Sequence, residues 1–597
     1  MKTFFASLGG ALIGAILGFI LLLFIGIGLI QLTVQGAMNE SQNGGAGADA
    51  DSIVLTLDLR DSYSDQPATT GPEVLFDTPV GFIDILTRLD AASRDERVKG
   101  VFVRGSEYGI GSARAEELRD AFLTLKAADK FIVAHSQGTY GGGPSAYRAI
   151  ASADEIWVQP GSDLIASGVA FETLFLKGMF DNLSIDPEFV SLYEFKNAPN
   201  TYEEEDYTAP HRQAMTALAE SIWSLSLSDI ATDRGFDVAT ARAALEATPL
   251  SAEQMIERGL ADQTGWPEDT EKAALDKAGE DAVAVSIADY TPPSAPFGAP
   301  VIAIVGGQGP IVTNDAGGSL FQAGNGFASD TVAAVLLEAG ADSDVEAIVF
   351  RVDSPGGSPI ASDQIWRAIE RIQTEQNKPV VVSMGSVAAS GGYYVSTGAD
   401  WIVANRATIT GSIGIFGGKF GISEGLARLG INASMIEVGG PFTGAFSSVD
   451  SFTDVQRDMM RQWLTRGYDR FLDLVAEGRD LSVEAVHEVA RGRVWSGEDA
   501  IEVKLVDELG GINAAIAKAK ALAEIEAETE IRLVSYPMVT GGFPFFSASA
   551  SASTDQLQAL GRLSSALQDP DLQALMMEIE AARSQRVQAR LPHFTER

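Results

Sequence analysis

The chain has 597 residues, with 81 Asp and Glu against 43 Lys and Arg and a formal net charge of −38. So acidic a balance argues against a basic surface for nucleic acid or anionic lipid, and the absence of cysteine excludes a thiol nucleophile, cysteine-bound zinc and disulfides. With only His135, His211, His487 and His593 available, a histidine-rich metal site is not expected, and nothing calls for a cofactor.

From Thr3 to Val34 there is no charge, and the core ALIGAILGFILLLFIGIGLI is almost wholly apolar. That exceeds the roughly 20 residues that span a bilayer. It is too long for the apolar region of a cleaved signal peptide, and no small-residue cleavage site follows. We expect an uncleaved single-pass transmembrane anchor over residues 1–36. Lys2 is the only flanking positive charge, so the positive-inside rule puts the N-terminus in the cytoplasm and the rest of the chain outside the inner membrane. Gly10, Gly14 and Gly18 share one helix face, a spacing that lets helices approach closely. A linker over 37–51 follows, small and polar from Gly44 to Asp51.

After the linker the chain repeats itself. VKGVFVR (Val98–Arg104) matches VEAIVFR (Val345–Arg351), and KFIVAHS (Lys130–Ser136) matches KPVVVSM (Lys378–Met384). ADEIWV (Ala153–Val158) matches ADWIVA (Ala399–Ala404), and SAEQMIERGLAD (Ser251–Asp262) matches SGEDAIEVKLVD (Ser496–Asp507). Four matches in order at a near-constant offset define a duplication. The halves span 52–290 and 299–535, with a Pro-rich joint at Tyr290–Pro300. Each alternates β-branched runs with amphipathic stretches, which predicts βαβ units and a largely parallel sheet, an α/β fold. A tail over 536–597 carries the low-complexity run Ser547–Ser553 and a helical stretch from Asp555 to about Ala589.

The second half holds the candidate chemistry. DSPGGSP (Asp353–Pro359) follows the strand AIVFRV, and its adjacent glycines can present backbone N–H groups to a carbonyl. GSVAASGGYY (Gly385–Tyr394) follows the next strand and reads as a small-residue turn into a helix, with Ser390 at its start. Both loops fall at the carboxyl edge of the expected sheet, where open α/β folds place their sites. A serine beside a Gly-Gly loop supplies nucleophile and oxyanion donors. By itself such a turn more often serves packing than catalysis. The repeat sets Gly142 opposite Ser390 and Lys196 opposite Phe442, so one half keeps a serine and the other a lysine.

DSPGGS, SVAASGGYY and TGSIGIFG (Thr410–Gly417) resemble the motifs of the signal peptide peptidase A, or protease IV, family in its long duplicated form. The resemblance covers nearly the whole chain. It implies tandem ClpP/crotonase-like domains, a Ser–Lys dyad serine endopeptidase that degrades cleaved signal peptides, and a homotetramer. It puts the nucleophile on Ser390, the base on Lys196 and an assisting serine on Ser412. It puts the oxyanion hole on Gly356 and Gly357, with Gly391 as the further donor. The family more often has Lys-Ser-Ala where this chain has Lys196-Asn197-Ala198.

A lysine base must be neutral, which burial achieves. Tyr193, Phe195 and Pro199 are the expected pocket, and the acids Glu203-Glu204-Glu205-Asp206 are expected to face solvent. Lys419 is the alternative base. Lys177 and Lys378 read as solvated, and His135 lacks a matching acid. The competing functions are a silent scaffold of this fold, opposed by Ser390, Lys196 and Ser412, and a crotonase-like acyl-CoA enzyme, opposed by the anchor and the lack of a basic phosphate site. The expected partners are hydrophobic peptides, the membrane and further copies of the chain.

Overall fold

The computed structural model describes residues 50–66, 80–141, 143–314 and 327–537. The expected anchor, Gly142 and the tail beyond 537 lie outside the described residues. Among the described residues no helix is long and apolar enough to cross a membrane.

Each half builds one twisted α/β layer. In the first half β1 (Ile53–Asp58), β2 (Val98–Arg104), β3 (Phe131–Ser136) and β4 (Glu155–Val158) lie side by side. A further strand, β5 (Asp186–Ser191), leaves this sheet. Two edge strands, β6 (Gln263–Thr264) and β7 (Val283–Ser286), complete the order β6-β4-β3-β2-β1-β7, parallel throughout. These apolar runs are buried on both faces, as parallel strands require.

The second half repeats the plan. It contains β8 (Val301–Gln308), β9 (Val345–Ser354), β10 (Val380–Ala389), β11 (Trp401–Ala404), β12 (Ile409–Gly411) and β13 (Phe416–Gly421). Beyond them come β14 (Val494–Ser496), β15 (Glu508–Leu509) and β16 (Arg532–Tyr536). The order is β14-β12-β10-β9-β8-β16, with β11 on the other part of β10 and β15 beside β11. Only the β12–β14 pair is antiparallel in this sheet.

One expectation changes here. Gly385–Ala389 is not a turn: β10 runs on to Ala389, changing neighbour from β11 at Val381–Met384 to β12 at Val387–Ala389. The Asp353 carboxylate accepts the Val387 N–H at 3.0 Å where the β9 ladder shifts register. The nucleophile candidate therefore stands at the end of a ten-residue strand.

Three features join the halves. First, β5 pairs antiparallel with β13 over six positions, from Phe416 opposite Ser191 to Gly421 opposite Asp186. Second, one buried core holds Leu55, Val101 and Ile132 together with Ile304, Val349 and Val381. Third, buried arginines cross the boundary. Arg351 of β9, 1% exposed, binds Asp65 at 2.8 Å and Glu117 through both nitrogens at 2.8 Å. Arg406 reaches Glu116 and Asp229 at 2.8 Å, and Arg148 of the first half shares both carboxylates.

Breaking such a site strands its carboxylates away from water. Arg351→Met should destabilise the joined halves by about 3–5 kcal/mol, read as a lowered urea midpoint.

Candidate active site

Ser390 closes β10 and opens a short helix, α1 (Gly391–Ser396). Its backbone is held at φ 54°, a conformation that costs a non-glycine residue about 1–3 kcal/mol and persists only when the surroundings impose it. The Ser390 N–H donates to the Gly411 carbonyl at 2.9 Å, and the Ser390 carbonyl accepts from Tyr394 N–H at 2.8 Å. Gly391 and Gly392 follow because the Asp353–Pro359 loop lies against the helix start. A Cβ on Gly392 would stand 2.6 Å from the Ser354 carbonyl oxygen.

The Gly356-Gly357 loop touches the serine directly. Gly356 has φ +98°, and a Cβ there would sit 2.8 Å from Ser390 Cβ and 2.6 Å from Gly391 N. Its N–H donates to Ser354 Oγ at 3.1 Å, and that hydroxyl donates to the Gly309 carbonyl at 2.7 Å. Gly356 thus shapes the loop with its N–H already engaged, while the N–H of Gly357 comes beside Gly391.

Lys196 arrives from the other half. Five residues after β5 ends, its Nζ lies 2.9 Å from Ser390 Oγ, 2.9 Å from Ser412 Oγ and 3.1 Å from the Ser412 carbonyl oxygen. A neutral amine has two N–H donors and one lone pair. Donation to the two Ser412 oxygens leaves the lone pair for the Ser390 hydroxyl. Lys196 is 6% exposed, and burial pushes its amine down to about 7. Ser412, at φ 49°, is fixed by its N–H on the Arg493 carbonyl at 2.7 Å.

The surroundings of Lys196 differ from the sequence reading in two ways. Phe195 and Pro199 are buried, but Tyr193 turns outward, its ring tilted against Tyr468 and edge-on to His487 with centroids at 4.8 and 4.9 Å. Glycines close the remaining space: a Cβ on Gly414 would meet Lys196 Cδ at 3.2 Å, and one on Gly492 would overlap Lys196 N at 2.4 Å. Nothing in the sequence marks Gly492, which becomes visible only through the contact it permits. Of the acidic run, Glu204, Glu205 and Asp206 are exposed, but Glu203 turns in to accept the Phe189 N–H at 2.8 Å.

The other candidates stand apart from the serine. Lys419 lies in β13 opposite Glu188, its Nζ 4.4 Å over the Phe452 ring. His135 is buried in the first-half sheet with Nε2 3.2 Å from the Gly265 carbonyl oxygen. Lys177 pairs with Asp181 at 2.6 Å, and Lys378 donates to the Asp342 carbonyl.

Ser390 and Lys196 face a cavity of about 820 Å³ between the halves. Phe171, Met215 and Ile222 line it from the first half, and Ile415, Phe416 and Phe471 from the second. Asp353 is the one acidic residue in its described wall. Burial, and next the Asp65 charge, push the Asp353 carboxyl upward, toward its neutral form.

A strained serine at a sheet edge, under a glycine loop and beside a buried lysine amine, is the outline of a serine-type peptidase. The chain belongs to peptidase family S49, whose model matches it twice, over 125–281 and 372–526. It is 29% identical over 548 residues to protease 4 of Haemophilus influenzae, covering 86% of this chain and 85% of that one. It is 26% identical over 499 residues to the chloroplastic serine protease SPPA of Arabidopsis thaliana, covering 82% of this chain and 72% of the other. A putative signal peptide peptidase SppA of Enterococcus faecium is 31% identical over 202 residues, 34% of this chain and 57% of its own length.

The glycine loop yields a direct check. Gly356→Ala puts a methyl group against Ser390 and Gly391 N, and should lower kcat about 10²–10³-fold, the scale of losing one oxyanion donor, in a peptide-hydrolysis assay.

Proposed function

We propose that the chain is a membrane-anchored serine endopeptidase that degrades cleaved signal peptides, with Ser390 as nucleophile and Lys196 as general base. The observation that carries this reading is the 2.9 Å approach of a buried lysine amine to Ser390 Oγ. Neutral Lys196 takes the Ser390 proton as Oγ attacks the peptide carbonyl. The N–H groups of Gly357 and Gly391 receive the oxyanion, with Gly356 shaping their approach. The protonated amine then returns its proton to the departing nitrogen, leaving an acyl-serine. Lys196 takes a proton from the water that hydrolyses the ester, and Ser390 recovers its own. Ser412 holds the amine through both of its oxygens.

The substrate class follows from cavity chemistry and placement. Phe171, Met215 and Ile222 opposite Ile415, Phe416 and Phe471 suit apolar side chains. Cleaved signal peptides carry apolar runs of about 7–15 residues and lack tertiary structure, so they can lie extended in a groove. In this reading residues 1–36 anchor the chain in a bacterial inner membrane, with two ClpP/crotonase-type halves, 52–290 and 299–535, on the periplasmic side. We further propose a homo-oligomer, tetrameric by resemblance. The repeat maps the β5–β13 pair onto 432–437 and 170–175. Among the described residues these have no strand partner, and they expose Ile436 and Leu174 by 96% and 53%.

Ser390→Ala and Lys196→Ala should each abolish turnover, and the double variant should lose no more, because the two act as one unit. Labelling of Ser390 by a serine-reactive phosphonate should fail in both single variants. Normal turnover in a folded Lys196→Ala protein would remove Lys196 as base and bring Lys419 forward.

The rate should rise with pH through about 7 as the Lys196 amine loses its proton, and His135→Ala should leave that limb in place. In detergent, a hydrophobic signal-peptide core should be cut much faster than a charged peptide of equal length. Equal rates on the two would contradict the proposed substrate class.

A further inference from the structure

The short loop Arg491-Gly492-Arg493 stands between the two parts of the site. The Arg491 carbonyl accepts the Phe195 N–H at 3.2 Å, and the Arg493 carbonyl accepts the Ser412 N–H at 2.7 Å. Between them, Gly492 N–H donates to the Ile413 carbonyl at 2.8 Å. One loop of the second half thus grips both the first-half lysine segment and the serine that orients its amine. Arg491 and Gly492 are both left-handed, at φ 53° and 84°. Their turn brings the backbone so near that a Cβ on residue 492 would lie 2.4–2.6 Å from Lys196 N, Cα and Cβ.

The two arginines close over the residue before the lysine. The guanidinium carbons of Arg491 and Arg493 lie 5.7 and 5.6 Å from the Phe195 ring centroid, and Arg493 also stacks on Trp495 at 4.0 Å. The Nε atoms of both arginines are buried without a hydrogen-bond partner among the described residues. Phe195 is 8% exposed under this cover.

We infer that Arg491-Gly492-Arg493 and Phe195 form a clamp that seats Lys196 against Ser390 and keeps water from its amine. These are positioning residues: none of them touches Ser390. The inference rests on the reading of Lys196 as the base. Arg491 binds Glu194 at 3.0 Å and stands 3.9 Å from Glu488. Asp499 is the acid that acts on Arg493. The Arg491 N–H donates to Tyr468 Oη at 3.3 Å, and that hydroxyl meets His487 Nδ1 at 3.0 Å. The downward push on Lys196 comes from burial alone, with no contribution from these groups.

The test uses the full-length protein in detergent, with kcat and KM measured across pH and melting followed in parallel. Phe195→Ala should admit water, moving the acid limb of kcat/KM up by about one pH unit or more toward the ordinary lysine value of about 10.4. Phe195→Tyr, which keeps the ring, should return the limb to its original position. Gly492→Ala should displace the amine and lower kcat about 100-fold, with KM changed by less than about twofold. An unmoved limb in Phe195→Ala beside an inactive Lys196→Ala would overturn the clamp and leave the base intact. A wild-type kcat in Gly492→Ala would overturn it as well. Turnover in Lys196→Ala would instead overturn the base reading on which the clamp depends.

Discussion

The structure turns on one buried lysine amine set 2.9 Å from a serine hydroxyl in a chain with a formal net charge of −38. Bringing a lysine from its ordinary value to about 7 corresponds to about 5 kcal/mol of differential stabilisation between its two protonation states. Any carboxylate near Nζ would favour the ammonium and undo that. Burial is what lowers the Lys196 amine, and no acid among the described residues opposes it there. Asp353 lines the same cavity, and burial, then the Asp65 charge, push its carboxyl upward.

A site of this kind needs a rigid source for the lysine, and duplication provides it. Lys196 belongs to one half and Ser390 to the other, so their contact exists only when the halves are in register. The β5–β13 pair sets that register along the chain, because a one-residue slip would turn every side chain of the pair to the opposite face. The arginines set it in depth. Arg351 and Arg406 reach across the boundary to acids of the first half, so a shifted interface would strand buried charges. Asp65, Glu116, Glu117 and Asp229, all buried, are neutralised there rather than near the amine.

The legible part of this arrangement came from the repeat. Its matched segments gave the two sheets, and the mismatch of Gly142 with Ser390 and of Lys196 with Phe442 singled out two side chains that the structure brings within hydrogen-bond distance. What stayed hidden depends on side-chain direction and close approach, which sequence spacing does not record. Tyr193 is as aromatic as Phe195 yet meets the Tyr468 and His487 rings on the outer side, because the chain turns after β5 and spacing alone does not fix side-chain direction in a turn. Glu203 turns in while its neighbours face solvent, because the Phe189 N–H needs an acceptor. Gly385 looked like punctuation but lies inside a strand, where Asp353 Cβ leaves room for no side chain: a Cβ would meet it at 2.9 Å. Gly492 is one of 61 glycines, distinguished only by the lysine backbone packed on it.

In the proposed mechanism, the apolar surroundings of the site would also bear on what the groove accepts. Phe171, Met215 and Ile222 opposite Ile415, Phe416 and Phe471 carry no polar group, so a charged peptide side chain seated against them would be desolvated without a partner. An apolar peptide does the opposite: in filling the cavity it expels water and strengthens every electrostatic interaction there. In the proposed mechanism the neutral form of Lys196 is then favoured further, and the oxyanion donors act in a medium of lower polarity. Substrate choice and base activation would thus arise from one property of the cavity. A polar substitution in its wall, even far from Ser390, would weaken both together.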